Sequence, residues 1–157
     1  MDMIRRTLLK GAGSTGVLAA ALAAGILKPT GAWAQEWNRA AFEAKDLSAA
    51  LKGVGATTAS DSKDLVLKAP DIAENGAVVP VDILSNIPNT ISLAVFVDKN
   101  PLPLSSAFDF ANGAVPEVSV RLKLSTTSNV KAVAKTADGK YYTAQKEVKV
   151  TVGGCGG

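Results

Sequence analysis

The stretch VKAVAKTADGKYYTAQKEVKVTV, residues 130–152, decides the fold of this chain. Asp138-Gly139 separates two runs rich in β-branched and aromatic residues, and this dipeptide is a strong signal for a hairpin with a two-residue turn. The end of the second run alternates apolar with polar residues, with Val148, Val150 and Val152 on one face and Glu147, Lys149 and Thr151 on the other. This period of two predicts a half-buried strand that ends where Gly153 begins.

Short apolar runs upstream of the hairpin predict further strands. They are residues 65–67, 78–84, 91–97 and 118–124. Pro80 inside the second run predicts an edge strand or a bulge, because proline cannot donate a ladder hydrogen bond. About seven short strands with turn residues between them predict a mainly β protein, an immunoglobulin-like antiparallel β-sandwich.

A single N-terminal helix is predicted over residues 36–51, ahead of the strands. Its apolar residues recur at three- and four-residue steps: Trp37, Ala41, Ala44, Leu47 and Leu51. Gly53 follows as the predicted C-terminal stop, and residues 55–63 are a polar linker to the first strand. We interpret Trp37 and the alanines as packing residues.

Residues 1–34 have the pattern of an export signal. Arg5-Arg6 precede an alanine-rich apolar region, and Ala32-Trp33-Ala34 matches the A-x-A cleavage pattern. Paired arginines before a weakly hydrophobic region resemble a twin-arginine signal, and an ordinary secretory signal is the alternative. We expect a periplasmic protein that begins at Gln35. No stable membrane association is expected, because the apolar region is shorter than the roughly 20 residues of a membrane span.

Removal of this segment changes the charge balance. It holds four of the 17 basic residues and one of the 14 acidic ones, which leaves 13 of each in residues 35–157. A neutral domain lacks the basic surface that attracts nucleic acid or anionic membranes. Residues 35–152 are enough for one domain that buries a core without disulfides.

Gly153-Gly154-Cys155-Gly156-Gly157 follows the last strand and contains the only cysteine of the chain. Glycine loses the most conformational entropy on ordering, and fixing each residue would cost about 1–2 kcal/mol without burial to offset it. We therefore predict that residues 153–157 are a flexible arm that holds a thiol about 10 Å from the domain. A frayed end is the alternative, but it does not explain why the single cysteine lies between paired glycines.

The sequence is poorly equipped for catalysis. It has no histidine, the commonest general base and metal ligand, and one cysteine cannot form a CxxC pair or a zinc cluster. We expect no cofactor and no metal. The scattered carboxylates are interpreted as turn or surface residues: Asp71, Glu74, Asp82 and Asp109. Nothing in the local sequence activates Cys155, and a short arm on a rigid body is the geometry of a group carrier that partner enzymes act upon.

These features closely resemble the SoxY family, the sulfur-carrier subunits of the periplasmic Sox system for thiosulfate oxidation. The resemblance covers essentially the whole chain. It includes the twin-arginine signal, residues 69–76 (APDIAENG) followed by Val79-Pro80-Val81, the Asp138-Gly139 hairpin and the terminal GGCGG. The last motif is highly specific at a chain end.

The resemblance implies an immunoglobulin-like fold, a heterodimer with a SoxZ-like subunit and covalent attachment of sulfur intermediates to Cys155. It also implies a haem enzyme that loads thiosulfate onto the thiol and a hydrolase that releases sulfate. Where a sulfur dehydrogenase exists, it would oxidise the remaining sulfane sulfur. The chain itself would be a carrier of substrate and not an enzyme.

Two other classes of function stay open. One is an exported immunoglobulin-like binding module whose terminal cysteine forms an interchain disulfide. The other is a thiol enzyme that acts alone, which the missing base and the unactivated cysteine disfavour. A dimer that forms without thiosulfate on non-reducing gels would favour the first.

Overall fold

Two short helices and nine strands make up residues 38–152, the part of the chain that the computed structural model describes. The helices are α1 (Arg39–Phe42) and α2 (Leu47–Gly53). The strands are β1 (Ser60–Asp61), β2 (Leu65–Lys68), β3 (Ile72–Asn75), β4 (Val79–Ser85), β5 (Thr90–Val97), β6 (Leu104–Asp109), β7 (Glu117–Leu122), β8 (Ser128–Thr136) and β9 (Tyr141–Val152). The protein is therefore mainly β, as the sequence predicts.

The strands form two sheets with the main core between them. The larger sheet has the order β1-β9-β8-β5-β6, and β3 also pairs with β9, while the smaller sheet has the order β2-β4-β7. Fully buried residues of both sheets meet in one cluster, among them Val81 and Ile83 of the smaller sheet and Val95, Val130 and Val148 of the larger one. This is the immunoglobulin-like sandwich that the strand pattern predicts.

β5 lies inside the larger sheet and is buried on both faces. Val95 belongs to the core between the sheets, whereas Phe96 belongs to a second cluster on the opposite face. Ala41 of α1 and Ala50 of α2 belong to that second cluster, so the helices cover the outer face of the larger sheet. A strand buried on both faces carries a continuous apolar run instead of an alternating one, which accounts for residues 93–97.

The predicted hairpin is present, but its turn is longer than two residues. β8 and β9 pair antiparallel over most of their length, and residues 137–140 connect them. Gly139 has a φ of 82° and its N–H donates to the Thr136 carbonyl at 2.9 Å. A two-residue type I′ turn needs positive φ at both central residues, and of Asp138 and Gly139 only the glycine has it.

Asp138 stabilises this turn. Its carboxylate accepts a hydrogen bond from the Thr136 hydroxyl and lies 2.8 Å from Lys140 Nζ. These contacts, with the lysine first, lower the pKa of Asp138 to about 2. The carboxylate is therefore ionised at any pH well above that value.

The prediction of a single helix over residues 36–51 is wrong. The described part of the segment forms α1 and α2, with a break at residues 43–46. Two side chains start separate helices: Asn38 accepts a hydrogen bond from the Ala41 N–H at 3.2 Å, and Asp46 accepts one from the Ala49 N–H at 2.8 Å. Trp37 lies outside the described residues.

The predicted stop at Gly53 is also misplaced. α2 includes Gly53, and the residue with positive φ is Gly55, at 81°. The Gly55 N–H donates to the Lys52 carbonyl at 3.0 Å and the Ala56 N–H donates to the Leu51 carbonyl at 2.9 Å, which is the bonding of a Schellman motif. Gly53 instead allows α1 and α2 to touch, because a Cβ there would lie 2.7 Å from the Ala41 Cα.

Gly53→Ala is expected to lower the free energy of unfolding by about 1–3 kcal/mol, because the added methyl group overlaps Ala41 and forces the helices apart. The higher helix propensity of alanine offsets only about 0.5–1 kcal/mol of this loss. Ser48→Ala, at an exposed position of α2, is the matched control and should stay within about 0.5 kcal/mol of the original chain. Urea unfolding of the three proteins measures the difference, and a Gly53→Ala protein at least as stable as the original would contradict the close contact.

Pro80 lies in β4, the middle strand of the smaller sheet, so the prediction of an edge strand is wrong for the strand as a whole. Pro80 is paired with Arg121 of β7, while β2 pairs with β4 only from Asp82 onward. On the β2 side, Pro80 therefore lies beyond the end of the neighbouring strand, where a missing N–H interrupts no ladder.

The sandwich is not purely antiparallel, in contrast to the prediction. β1 and β3 both run parallel to β9, β1 beside its start and β3 beside its end. β1 lies inside the predicted polar linker, and the sequence pattern predicts neither β3 nor β6. β3 buries only Ala73 and β6 buries only Leu104, so neither strand has an apolar face that sequence alone would reveal.

Candidate functional site

The predicted site residues lie outside the part of the chain that the structure describes. They are Cys155 with Gly153, Gly154, Gly156 and Gly157, and Arg5 and Arg6 of the export signal. The structure does describe β9 as far as Val152, three residues before Cys155. We call residues 149–152 the root of the arm, and the candidate site is built up from it.

The root of the arm extends beyond the strand that flanks the rest of β9. β8 pairs with β9 only as far as Val148, which lies opposite Ser128. One residue further back in the chain, Thr127 accepts a hydrogen bond from the Val150 N–H through its side-chain oxygen at 3.0 Å. On this side, a single side chain takes the place of a neighbouring strand.

β3 runs parallel to the root of the arm and bonds to it along its whole length. Opposite pairs are Ile72 with Lys149, Ala73 with Val150 and Asn75 with Val152. The Lys149 N–H donates to the Asp71 carbonyl at 2.9 Å, and the Gly76 N–H donates to the Val152 carbonyl at 2.8 Å. The Thr151 hydroxyl adds a hydrogen bond to the Glu74 carbonyl at 3.0 Å. Val152, the last described residue, is therefore still held by a strand neighbour.

Burial decreases steeply along the end of β9. Val148 is fully buried, Val150 is half-buried and Val152 is 64% exposed. The predicted strand and its alternation are confirmed, but the strand continues past the core. Because an exposed valine gains little from apolar contact, the hydrogen bonds to β3 hold the last residues in place.

β3 is anchored at both ends. At its start, Lys146 Nζ lies 2.9 Å from the Asp71 carboxylate and also donates to the Ala69 carbonyl. At its end, the Gly76 carbonyl accepts a hydrogen bond from the Leu124 N–H at 2.7 Å. Between these anchors Ala73 is the only buried side chain of the strand. β3 is therefore held in place by polar contacts and not by a core of its own.

Lys146 lowers the pKa of Asp71 below its ordinary value of 3.8, first through the hydrogen bond and then through its charge. A carboxyl group with a lowered pKa contributes its full stabilisation above the unfolded value of 3.8. This contribution is lost as the pH falls through the lowered folded value. The anchor at the start of β3 is thus intact at neutral pH and weakens only in strong acid.

Lys146→Met is expected to move the pKa of Asp71 back up towards 3.8, because the largest cause of the shift is removed. NMR titration of the Asp71 carboxyl group in both proteins measures the change. Lys140→Met, which removes the partner of Asp138 instead, is the matched control and should leave the Asp71 titration in place. An Asp71 pKa that is the same with and without Lys146 would show that the ion pair does not form in solution.

Covalent geometry limits where the thiol can be. Consecutive Cα atoms are 3.8 Å apart, so the Cα of Cys155 lies within about 11 Å of the Cα of Val152. Val152 is bonded to Gly76, and Gly76 to Leu124, so these three residues share one end of the sandwich. Any molecule that contacts the Cys155 thiol must therefore approach within reach of this end.

The acidic side chains of residues 38–152 are not gathered into a metal site. This part of the chain contains no group of three or more His, Cys, Asp or Glu residues that could hold a metal ion. The four carboxylates that the sequence singles out are all exposed: Asp71, Glu74, Asp82 and Asp109. Within the same residues, no helix is long and apolar enough to cross a membrane.

Sequence reasoning missed the contribution of β3 to this site. The role of residues 69–76 as the partner of β9 does not follow from their pattern. The one usable signal is Asn75-Gly76, a turn dipeptide that Glu74 separates from the short apolar pair Ile72-Ala73. It marks the end of β3 but does not indicate that β3 pairs with β9.

The family model described as sulfur oxidation protein SoxY matches residues 50–155, which is more than half of the chain and reaches Cys155. One similar solved structure is the sulfur carrier protein SoxY from Chlorobium limicola f thiosulfatophilum. It is 38% identical with a TM-score of 0.55, and the match covers 61% of this chain and 88% of that chain. No curated protein matches the chain.

A superoxide reductase (neelaredoxin) from Ignicoccus hospitalis is a more distant structural neighbour. It is 21% identical with a TM-score of 0.50, and the match covers 55% of this chain and 79% of that chain. At this level of identity the likeness concerns the fold alone. The family match, in contrast, runs from α2 through every strand of both sheets to the cysteine. The chain belongs to the SoxY family of sulfur oxidation proteins.

Proposed function

We propose that this chain is a covalent carrier of sulfur intermediates in thiosulfate oxidation, with the Cys155 thiol as the point of attachment. The family match supports a part in sulfur oxidation, and the Chlorobium relative is a sulfur carrier protein. The observation that carries the proposal is the root of the arm. It is held by β3 up to Val152, three residues from the only cysteine of the chain.

The loading step would join thiosulfate to the thiol. A haem enzyme would take up two electrons and a proton would be released as the Cys155 Sγ bonds to the outer sulfur of thiosulfate. The product is an anionic Cys–S–S–SO₃⁻ adduct. Because this is an oxidation, the electron acceptor has to come from the partner enzyme.

The unloading steps would return the carrier towards its starting state. Hydrolysis of the bond between the terminal sulfonate and the sulfane sulfur consumes one water, releases hydrogensulfate and leaves Cys–S–SH on the carrier. Where a sulfur dehydrogenase is present, it would oxidise the remaining sulfane sulfur. The chain contains no histidine, so the acids, bases and redox groups of these steps would belong to the partners.

A mass measurement tests the proposal against the alternative of an interchain disulfide. Thiosulfate and the haem enzyme are expected to raise the intact mass of the carrier, and a thiol reductant should reverse the increase. Non-reducing electrophoresis of the same samples shows any covalent dimer. A dimer that forms equally without thiosulfate, with no adduct on the monomer, would contradict the carrier and favour the binding module.

The partner subunit and the location of the protein form part of the same proposal. We infer a heterodimer with a SoxZ-like subunit in the periplasm, on the basis of the family and of the export pattern in residues 1–34. Several strands are candidate edges for the subunit contact: β1, β3 and β6 in the larger sheet, and β2 and β7 in the smaller one.

Arg5→Lys with Arg6→Lys is expected to leave most of the protein unexported, because the paired arginines are the part of the signal that the export receptor reads. Cell fractionation with intact-mass analysis measures the outcome, and the exported original chain should begin at Gln35. Arg39→Lys, outside the signal, is the control and should be exported normally. Export of the double variant at the normal level would rule out the twin-arginine assignment.

A further inference from the structure

We propose that β3 is a clasp that fixes the root of the arm, so that the thiol leaves the sandwich from Val152 on a tether of only three residues. The inference rests on the proposed carrier function and adds to it the element that positions the carrier group. Thr151 is the positioning residue, because its side chain joins the root of the arm to β3 through the Glu74 carbonyl.

The clasp is the strand neighbour of the root on one side. On the other side, the pairing of β8 with β9 stops at Ser128 and Val148. Beyond that pair, the root is bonded on this side only by the Thr127 side chain. Val148 is the last fully buried residue of β9, while Val152 is 64% exposed. If β3 were released, the root of the arm would lose the strand that pairs with it. Val150 would become the last held residue, because its N–H still bonds to the Thr127 side chain and its side chain packs on the main core.

Release of the clasp would change the tether from three residues to five. At 3.8 Å per residue, the maximum distance from the last held Cα to the Cys155 Cα rises from about 11 Å to about 19 Å. The effective concentration of a tethered group falls with roughly the −3/2 power of the tether length. The concentration of the thiol at a docked active site would therefore fall about twofold.

The clasp is held by groups that can be removed without touching the core. Asp71 and Thr151 are both exposed, and their contacts lie at opposite ends of β3. Asp71→Ala removes the carboxylate that Lys146 contacts, and Thr151→Val removes the hydroxyl donor at nearly constant shape. Each lost contact shifts the equilibrium towards the open form. The double variant should therefore open the clasp more readily than either single variant.

The single cysteine allows the clasp to be observed directly. A nitroxide attached to Cys155 broadens the NMR signals of amides close to it. In the original chain, we expect broadening confined to the end of the sandwich around Gly76 and Leu124. In Asp71→Ala with Thr151→Val the broadening should spread over a wider surface, and the Gly76 amide should exchange with solvent faster. Thr151→Ser, which keeps the hydroxyl, should behave like the original chain.

Turnover with the partner enzymes gives the second readout. The double variant is expected to lower kcat/KM for the carrier up to about twofold, and Thr151→Ser should keep the original value. Alkylation of Cys155 by iodoacetamide should proceed at the same rate in all three proteins, because the thiol itself is unchanged. If the two substitutions only destabilised the fold, the double variant would have a lower melting temperature, but the broadening of amide signals by the nitroxide would not spread.

Three results would overturn the clasp. They are unchanged broadening in the double variant, wider broadening with an unchanged kcat/KM, and a Thr151→Ser protein as impaired as the double variant. Failure of the underlying carrier function is distinguishable from these. In that case the original chain itself would acquire no sulfur adduct on Cys155, whatever the state of β3.

Discussion

Cys155→Ser is expected to reduce thiosulfate-dependent turnover to the background rate of the partner enzymes without carrier. A serine hydroxyl cannot form the S–S bond that holds the sulfur intermediate, and the chain has no second thiol to replace it. The substitution is nearly isosteric and is expected to lie outside the core. The free energy of unfolding should therefore change by no more than about 0.5 kcal/mol.

The assay is thiosulfate oxidation reconstituted from the carrier, its partner subunit and the partner enzymes. The control is Ser48→Ala, at an exposed position remote in sequence from the arm. It is preferred to Ser128→Ala because Ser128 is buried. Ser48→Ala should keep full activity. A Cys155→Ser protein that retains a substantial part of the turnover would show that the thiol is not the carrier group.

Gly154→Val with Gly156→Val is expected to lower turnover about 100-fold while melting and thiol titration stay near their original values. Valine is stiff at χ1 and wider than glycine, so two valines would both restrict the arm and hinder its entry into a narrow cleft. A misplacement of about 1 Å at a reacting centre can cost roughly 100-fold in rate. The effect is therefore on delivery of the thiol and not on the fold.

Gly154→Ala with Gly156→Ala is the matched control for side-chain size. It adds one methyl group at each position and should fall between the original chain and the valine pair. The measurement is the reconstituted oxidation assay beside thermal denaturation and a free-thiol titration. Turnover of the valine pair at the original rate would mean that the glycines are only a frayed end.

The fold is predictable where one chain segment carries its own pattern. The valines of β9 alternate with polar residues, and the structure shows a strand as far as Val152, its last described residue. The continuous apolar run of β5 is also recognisable as a strand, but the sequence does not say that Phe96 faces the helices while Val95 faces the other sheet. That division depends on which elements pack on each side.

The prediction fails where a local signal competes with a longer pattern. Helical spacing extends over residues 36–51, yet the Asp46 side chain caps a new helix at the Ala49 N–H and the segment forms two helices instead of one. Asp138-Gly139 correctly marks the hairpin, but the negative φ of Asp138 makes the turn longer than the dipeptide suggests. In both cases one polar residue sets the local geometry.

The candidate site is predictable only in part. The motif in residues 153–157 identifies the cysteine. It does not predict that β3 pairs with the root of the arm, because the two segments are far apart in the chain: Thr151 bonds to Glu74, 77 positions earlier. A four-residue strand that pairs in parallel and buries only Ala73 has no recognisable period. Only the three-dimensional pairing reveals that it holds the end of β9.

Peptide-level mass spectrometry of the protein after incubation with thiosulfate and the haem enzyme tests the covalent carrier function most directly. We expect a reductant-sensitive sulfur adduct on the C-terminal peptide that contains Cys155, and on no other peptide. The Cys155→Ser protein should acquire none. An equal adduct on the Cys155→Ser protein, or no thiosulfate-dependent adduct on the original chain, would contradict the carrier function.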